Sequence, residues 1–140
     1  ATCRTLSLST CDASLRPHAA NVQYVHDPSW SLYWVSKDES LHSRHVADNP
    51  HAAGTIYGHD DKAEKIHGLQ LRGTVEPITD KGEWNRVWEL YTGKFTFIRS
   101  MPAMQKAVVE QTFYRFTPTW LRWIDNRREF GFKVEKELGA

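Results

Sequence analysis

The side chains of Thr5-Leu6-Ser7-Leu8-Ser9-Thr10 alternate polar and apolar, and Ile66 to Pro77 (IHGLQLRGTVEP) does the same further along. A period of two belongs to a strand that buries one face. Turn residues cut these runs short. Asp12 to Pro17 and then Asp27-Pro28-Ser29 delimit His18 to His26 (HAANVQYVH), and Ser31 to Ser36 (SLYWVS) follows as a short, rich strand. His51 to Tyr57 is a further strand, in which Ala52, Ala53 and Gly54 leave room for close approach. Gly58 to Lys65 reads as a polar loop, and Gly68 and Gly73 mark bends or bulges. Thr112 to Thr117, Thr119 to Asp125 and Phe130 to Val134 read as the last strands.

Three segments carry the other period. Trp84, Val87, Trp88 and Tyr91 stand at i, i+3, i+4, i+7 and predict a helix over Asp80 to Tyr91, with a shorter one over Met101 to Gln111. A third runs from about Ser40 to Asp48. Lys37-Asp38-Glu39 puts acidic charge at its N-terminus, and Asn49-Pro50 ends it, because proline disfavours helical geometry in the residue before it. About six or seven short strands with small helices predict a mainly β fold, a barrel with helical inserts. At 140 residues the chain is expected to form a single domain over 1–140.

Composition narrows the function classes. Hydrophobic residues make up 40% and charged residues 25%, an ordinary folded balance. The formal charge of +1 gives no support for a nucleic-acid partner, and no apolar run suggests a membrane span. Cys3 and Cys11 make no disulfide framework and no signal peptide is evident, so the expected compartment is cytoplasmic. The chain opens at Ala1 and goes straight into a strand pattern, so a native N-terminal segment is expected to be missing or processed.

The stretch Ser40 to Ile56 (SLHSRHVADNPHAAGTI) concentrates the chemistry, and three readings compete for it. One is an anion site. A helix N-terminus favours negative charge, an arginine adds a fork of donors, and hydroxyls complete the cage. Ser36 ends the preceding strand, and Ser40, Ser43 and Arg44 at i, i+3, i+4 share a face, with His45 next. The second is a metal site on His42, His45 and His51, for which no further ligand at a disciplined spacing is evident. The third is the wet side of an ordinary helix. A second cluster is Arg16-Pro17-His18-Ala19-Ala20-Asn21-Val22, where small alanines let a planar ligand lie against the strand and Arg16, His18 or Asn21 could meet its polar rim. The bland alternative is a plain hairpin strand. Gln70 and Arg72 present a polar face on another strand, to a ring carbonyl or to water.

TLSLSTCDASLRPHAANVQYVHD, SLYWVSKDESLHSRHVADNPHAAGTIYG, IHGLQLRGTVEPI and FYRFTPTWLRWIDNRREFGFK, in that order, resemble successive blocks of the pyridoxamine 5'-phosphate oxidase-like, FMN-binding split-barrel proteins. The resemblance implies a split β-barrel without the family's N-terminal helix, and a homodimer with flavin sites at the interface. It implies an FMN phosphate site at Ser43, Arg44 and His45, with Val35 and Ser36 at the end of the preceding strand. It also implies an isoalloxazine beside Arg16, His18, Ala19, Ala20 and Asn21, and a polar contact from Gln70. No counterpart of the longer C-terminal region of the oxidases proper follows, so the vitamin B6 reaction is not expected. The expectation is an FMN-dependent oxidoreductase taking a small-molecule substrate or electron donor, with no metal and no assigned catalytic residue. The alternative is a non-catalytic module for flavin, deazaflavin or haem. Trp84 and Trp88 are expected in packing, and Trp120 and Trp123 in packing or near a partner's flavin.

Overall fold

In the computed structural model, residues 3–58 and 62–139 are described. Eight strands, β1 (Thr5–Cys11), β2 (Pro17–Gln23), β3 (Val25–His26), β4 (Leu32–Ser36), β5 (His51–Tyr57), β6 (His67–Pro77), β7 (Thr112–Asp125) and β8 (Lys133–Glu137), form one antiparallel sheet. Its order is β2-β1-β5-β6-β7-β4-β3, with β8 added to β7. Helix α1 (Leu41–Asp48) joins β4 to β5, and α2 (Lys81–Lys94), α3 (Phe97–Ser100) and α4 (Pro102–Val109) join β6 to β7. A 3-10 turn, Ala63–Lys65, lies in the expected polar loop, part of which falls outside the described residues.

Three sequence expectations change in physically instructive ways. The single strand expected over His18 to His26 is interrupted at Tyr24, so β2 and β3 stand at opposite ends of the sheet order. One stretch of chain thereby bridges both margins of the curled sheet. The two strands expected on either side of Pro118 are one 14-residue strand, β7. Gly73 faces Pro118 while Arg72 faces Trp120, leaving Thr119 as an extra residue on β7. A proline cannot donate to a ladder, but a bulge accommodates it. Gly73 is required there, because a Cβ would lie 2.1 Å from the Thr117 carbonyl oxygen. Finally, the C-terminal strand starts at Lys133 rather than Phe130. Gly131, at φ +80°, lies in the turn before it.

Strand β4 reads as continuously apolar because it is buried on both faces. Leu32 and Trp34 turn into the barrel with Leu6, Leu8, Ile56, Val75 and Phe116. Tyr33 and Val35 turn outward, into a second core with Val87, Phe95, Ile98 and Phe113 beneath α2, α3 and α4. Trp84 and Trp88, stacked with centroids 5.5 Å apart, pack against this second core as expected. The helices cover only that half of the outer sheet. Over the rest, Ser7, Ala19, Asn21, Thr55, Gln70 and Arg122 form part of the outward row.

Helix α2 is fastened by a buried carboxylate. Asp27 Oδ1 accepts from the Ser29 and Ser31 amides and the Ser29 hydroxyl. Its Oδ2 accepts from Tyr33 at 2.9 Å and from Arg86 of α2 at 3.3 Å. Burial opposes ionisation of Asp27, but the hydrogen bonds from Ser29, Tyr33 and Ser31 outweigh it and hold its pKa below the ordinary 3.8. A depressed carboxylate contributes stability that is present above its unfolded pKa and lost as pH falls through its folded one. Asp27→Ala is expected to cost about 2–3 kcal/mol at neutral pH, and chemical denaturation between pH 7 and 2 should show a shallower acid loss than in the parent.

Candidate functional site

Helix α1 starts where β4 leaves the barrel and stops at Asn49-Pro50, so its eight residues are held at both ends. Asn49 adopts extended geometry, as a residue before proline should, and its amide reaches back to the His45 carbonyl at 2.7 Å. Ser43, His45 and Val46 are buried and Arg44 is exposed. The helix is therefore docked, not merely solvated.

Successive residues on a helix diverge by about 100°, and this separates the anticipated phosphate residues onto two flanks. On one flank, Leu41, Arg44, His45 and Asp48, at i, i+3, i+4, i+7, form one wall of a groove of about 370 Å³. The β1–β2 turn supplies the other wall, with Asp12, Ala13, Ser14 and Arg16. Arg16 is tied to Asp12 at 2.8 Å, and amide bonds from Arg16 and Ser14 to the same carboxylate hold the Asp12 pKa low. Among the described residues Arg44 has no side-chain partner. His45 is oriented from below: its Nδ1 lies 3.0 Å from the Thr10 hydroxyl, and its ring meets that of His18 edge-on at 5.7 Å. The Thr10 contact at Nδ1 fixes the orientation of the ring. The groove thus brings together Arg16, Arg44 and His45, with His18 beside them.

On the other flank lies a cluster of hydroxyls. Ser36 Oγ is 2.8 Å from His42 Nε2, and Ser40 Oγ is 2.6 Å from Ser43 Oγ. Ser40 stands at the N-cap, but its side chain does not cap the first turn. The Ser40 and Ser43 hydroxyls engage each other, as their spacing predicts, while the Arg44 side chain lines the groove. His42 and His45 likewise point to different partners, Ser36 and Thr10. Among the described residues no three His, Cys, Asp or Glu side chains are grouped as a metal site.

The remaining candidates divide by sheet face. His18 and Ala20 pair with the inward residues Thr10 and Leu8, whereas Ala19 and Asn21 pair with the outward Ser9 and Ser7. Asn21 accepts a hydrogen bond from the Ser7 hydroxyl at 2.8 Å. Gln70 lies on the outward face, its side-chain oxygen 3.3 Å from the Arg122 guanidinium. Val35 faces the helical core and Ser36 the barrel side. Strand β2, an edge strand, is the element that passes the groove and continues to Asn21. Sequence reasoning missed Asp12, Asp48 and Thr10, because a partner for Arg16 and a support for His45 are properties of contacts between distant segments.

A sequence profile described as pyridoxamine 5'-phosphate oxidase matches residues 1–124, nearly the whole barrel. The chain belongs to this family. No curated protein matches it in sequence. Three solved structures show how widely the family barrel is shared. HutZ, a haem storage protein of Vibrio cholerae, is 17% identical at a TM-score of 0.69, over 82% of this chain and 81% of that one. A haem-binding protein of Mycobacterium smegmatis is 15% identical at a TM-score of 0.74, over 96% of this chain and 52% of that one, so this chain spans about half of it. The conserved protein Rv2991 of Mycobacterium tuberculosis is 20% identical at a TM-score of 0.74, over 99% of this chain and 86% of that one. At such identities the likeness is one of fold, and it bears out the split barrel read from the sequence blocks. Among the described residues no helix of this family member is long and apolar enough to cross a membrane.

Burial lowers the pKa of His42, and the neighbouring His18 and His45 lower it further. A histidine whose folded pKa lies below its unfolded value stabilises the fold fully above the unfolded pKa, and that stability is lost as pH falls through the lower folded one. Proton NMR should find the His42 ring titrating below the ordinary 6.5, and His42→Gln should flatten the fall in stability on the acidic side of that value.

Proposed function

We propose that this barrel binds FMN and works, as a homodimer, as an FMN-dependent oxidoreductase on a small-molecule substrate or electron donor. The observation that carries the reading is the convergence of Arg16, Arg44 and His45 on one groove, from a turn and a helix far apart in sequence. A phosphate dianion fits that donor set. Arg44 offers an unpartnered fork, the buried His45 offers an oriented imidazole, and Arg16 can exchange its carboxylate partner for a phosphate.

Held by its phosphate in the groove, the flavin would lie along β2. Ala19 presents little bulk on its outward face, and the edge strand's free backbone groups can meet a heterocycle rim. The flavin itself supplies the redox chemistry, while the protein supplies binding, orientation and charge. Arg16 and His18 place positive charge or N–H donors near the ring, which favours its reduced anionic form. The outward sheet face left bare by α2–α4 is small and polar around Ser7, Ala19, Asn21 and Thr55. A second copy seated there would enclose the ring and bring Gln70 near it.

A second reading, a binding module without turnover, draws support from the two similar structures described as haem proteins. The groove favours FMN over haem, because Asp12, Asp48, Arg16 and Arg44 make a polar wall unsuited to an apolar macrocycle. An absorbance spectrum after incubation with each cofactor and gel filtration tests the assignment. Retained flavin bands support it, and retention of haem alone overturns it. Photoreduced holoprotein that some acceptor reoxidises far faster than free flavin indicates an enzyme. Arg44→Ala is expected to weaken FMN binding by about ten- to a hundredfold and to leave riboflavin, which lacks the phosphate, unaffected in a fluorescence titration.

A further inference from the structure

Outside the groove, one guanidinium on the bare half of the sheet stands without a counter-charge. Arg72 lies on β6 two residues from Gln70, so both side chains leave the strand on the outward face. Its guanidinium carbon is 4.2 Å from the centre of the half-buried Trp120 ring on β7. Arg122 reaches the same ring at 5.3 Å, but Glu135 neutralises it through Nε at 2.8 Å, and its Nη1 reaches the Gln70 side-chain oxygen at 3.3 Å. Arg72 is exposed and, among the described residues, has no carboxylate partner. The Trp120 face holds the guanidinium and leaves the N–H donors along its edge unclaimed.

The register of the sheet sets what lies beside this pair. Arg72 faces Ala53 of β5, Ala53 faces Ser9 of β1, and Ser9 faces Ala19 of β2. Neighbouring strands stand about 4.8 Å apart, so Arg72 and Trp120 rise at one end of a row of small side chains. The next outward row, from Asn21 through Ser7 and Thr55 to Gln70, carries no charge either. Glu137 lies beyond Trp120, on β8. A flavin ring over Ala19 and Asn21 therefore has one unpaired cation near it on this face. The FMN phosphate has its own cations in the groove, which leaves Arg72 for a second ligand. Whichever ring Gln70 approaches across a dimer, Arg72 approaches with it.

We propose that Arg72, held on Trp120, is a substrate-binding residue that selects a planar carboxylate, so that the small molecule meeting the flavin is a conjugated or aromatic acid. The proposal rests on the FMN reading above. A guanidinium presents paired N–H donors that match the two oxygens of a carboxylate. A conjugated acid can lay its flat face against the flavin while its carboxylate meets Arg72. A neutral molecule of the same shape gains no ion pair, and a cation is repelled.

The test is titration of the FMN-loaded full chain with benzoate and, in parallel, with benzamide, its neutral isostere, read as the perturbation of the flavin absorbance band. The parent should bind benzoate about tenfold more tightly than benzamide. Arg72→Gln should abolish that preference by weakening benzoate about tenfold, with benzamide affinity and FMN retention unmoved. Arg72→Lys keeps the charge without the fork and should restore the preference in part. A parent that holds FMN but binds both probes alike, or neither, overturns the proposal and leaves the FMN reading intact. A preference that survives Arg72→Gln does the same. Loss of FMN from Arg72→Gln, or dissociation of a dimer seen by light scattering, also overturns it, by making Arg72 a cofactor or interface residue. A parent that holds no FMN overturns the FMN reading, and this proposal with it.

Discussion

The ladder between β6 and β7 is the constraint on which the rest of the molecule depends. β7 pairs with β6 along one edge, from Tyr114 to Asp125, and on its other edge takes β4 over its first half and β8 over its second. A strand with two different neighbours on one edge must bend between them. The bulge at Thr119, opposite Gly73, provides the bend, and Pro118 sits where no amide is needed. A side chain at Gly73 would collide with the Thr117 carbonyl and drive the two strands apart at their middle. The bend also divides the outer surface. The first half of β7 backs onto the helical core through Phe113, and the second half carries Trp120, lying beneath the Arg72 guanidinium at 4.2 Å, with Arg122 beside it.

Helix α1 is the second pivot, because its two flanks serve different ends. One flank meets the β1–β2 turn and forms the groove with Arg16, Arg44 and His45. The other meets the end of β4 and the β4–α1 loop through hydroxyls. Both meet a helix of only eight residues, so movement on one side must be felt on the other. The charge distribution follows the same division. The groove holds two guanidinium groups and two carboxylates, whereas the other flank gathers hydroxyls around a histidine that burial keeps uncharged to lower pH.

Much of the architecture was legible in the residues. The alternation of Thr5 to Thr10 placed Leu6 and Leu8 inside, and the Asn49-Pro50 stop placed the end of α1. The Trp84, Val87, Trp88, Tyr91 spacing placed α2, which extends to Lys94 because its last turn also covers the helical core with Tyr91 and Phe95. The break at Tyr24 was not legible, since VQYVH is a good strand by pattern alone. It is divided because the same stretch must serve both margins of a curled sheet. The run around Pro118 misled in the opposite sense, as a proline usually marks a strand end and here marks a bulge.

The sequence by itself determined the local conformations and the chemical inventory: the strands, the three main helices, and the arginines, histidines and serines gathered around α1. These depend on periodicity and on turn chemistry, which act over a few residues. Only the tertiary structure decided which of those groups meet. Ser43 and Arg44 are adjacent in sequence, yet a helix turned by its buried Val46 sends one hydroxyl toward Ser40 and the guanidinium toward Asp12 and Arg16. That rotation is fixed by contacts with β1, among them His45 against Thr10, 35 positions away in sequence. No local pattern around Ser43 encodes where that strand will stand.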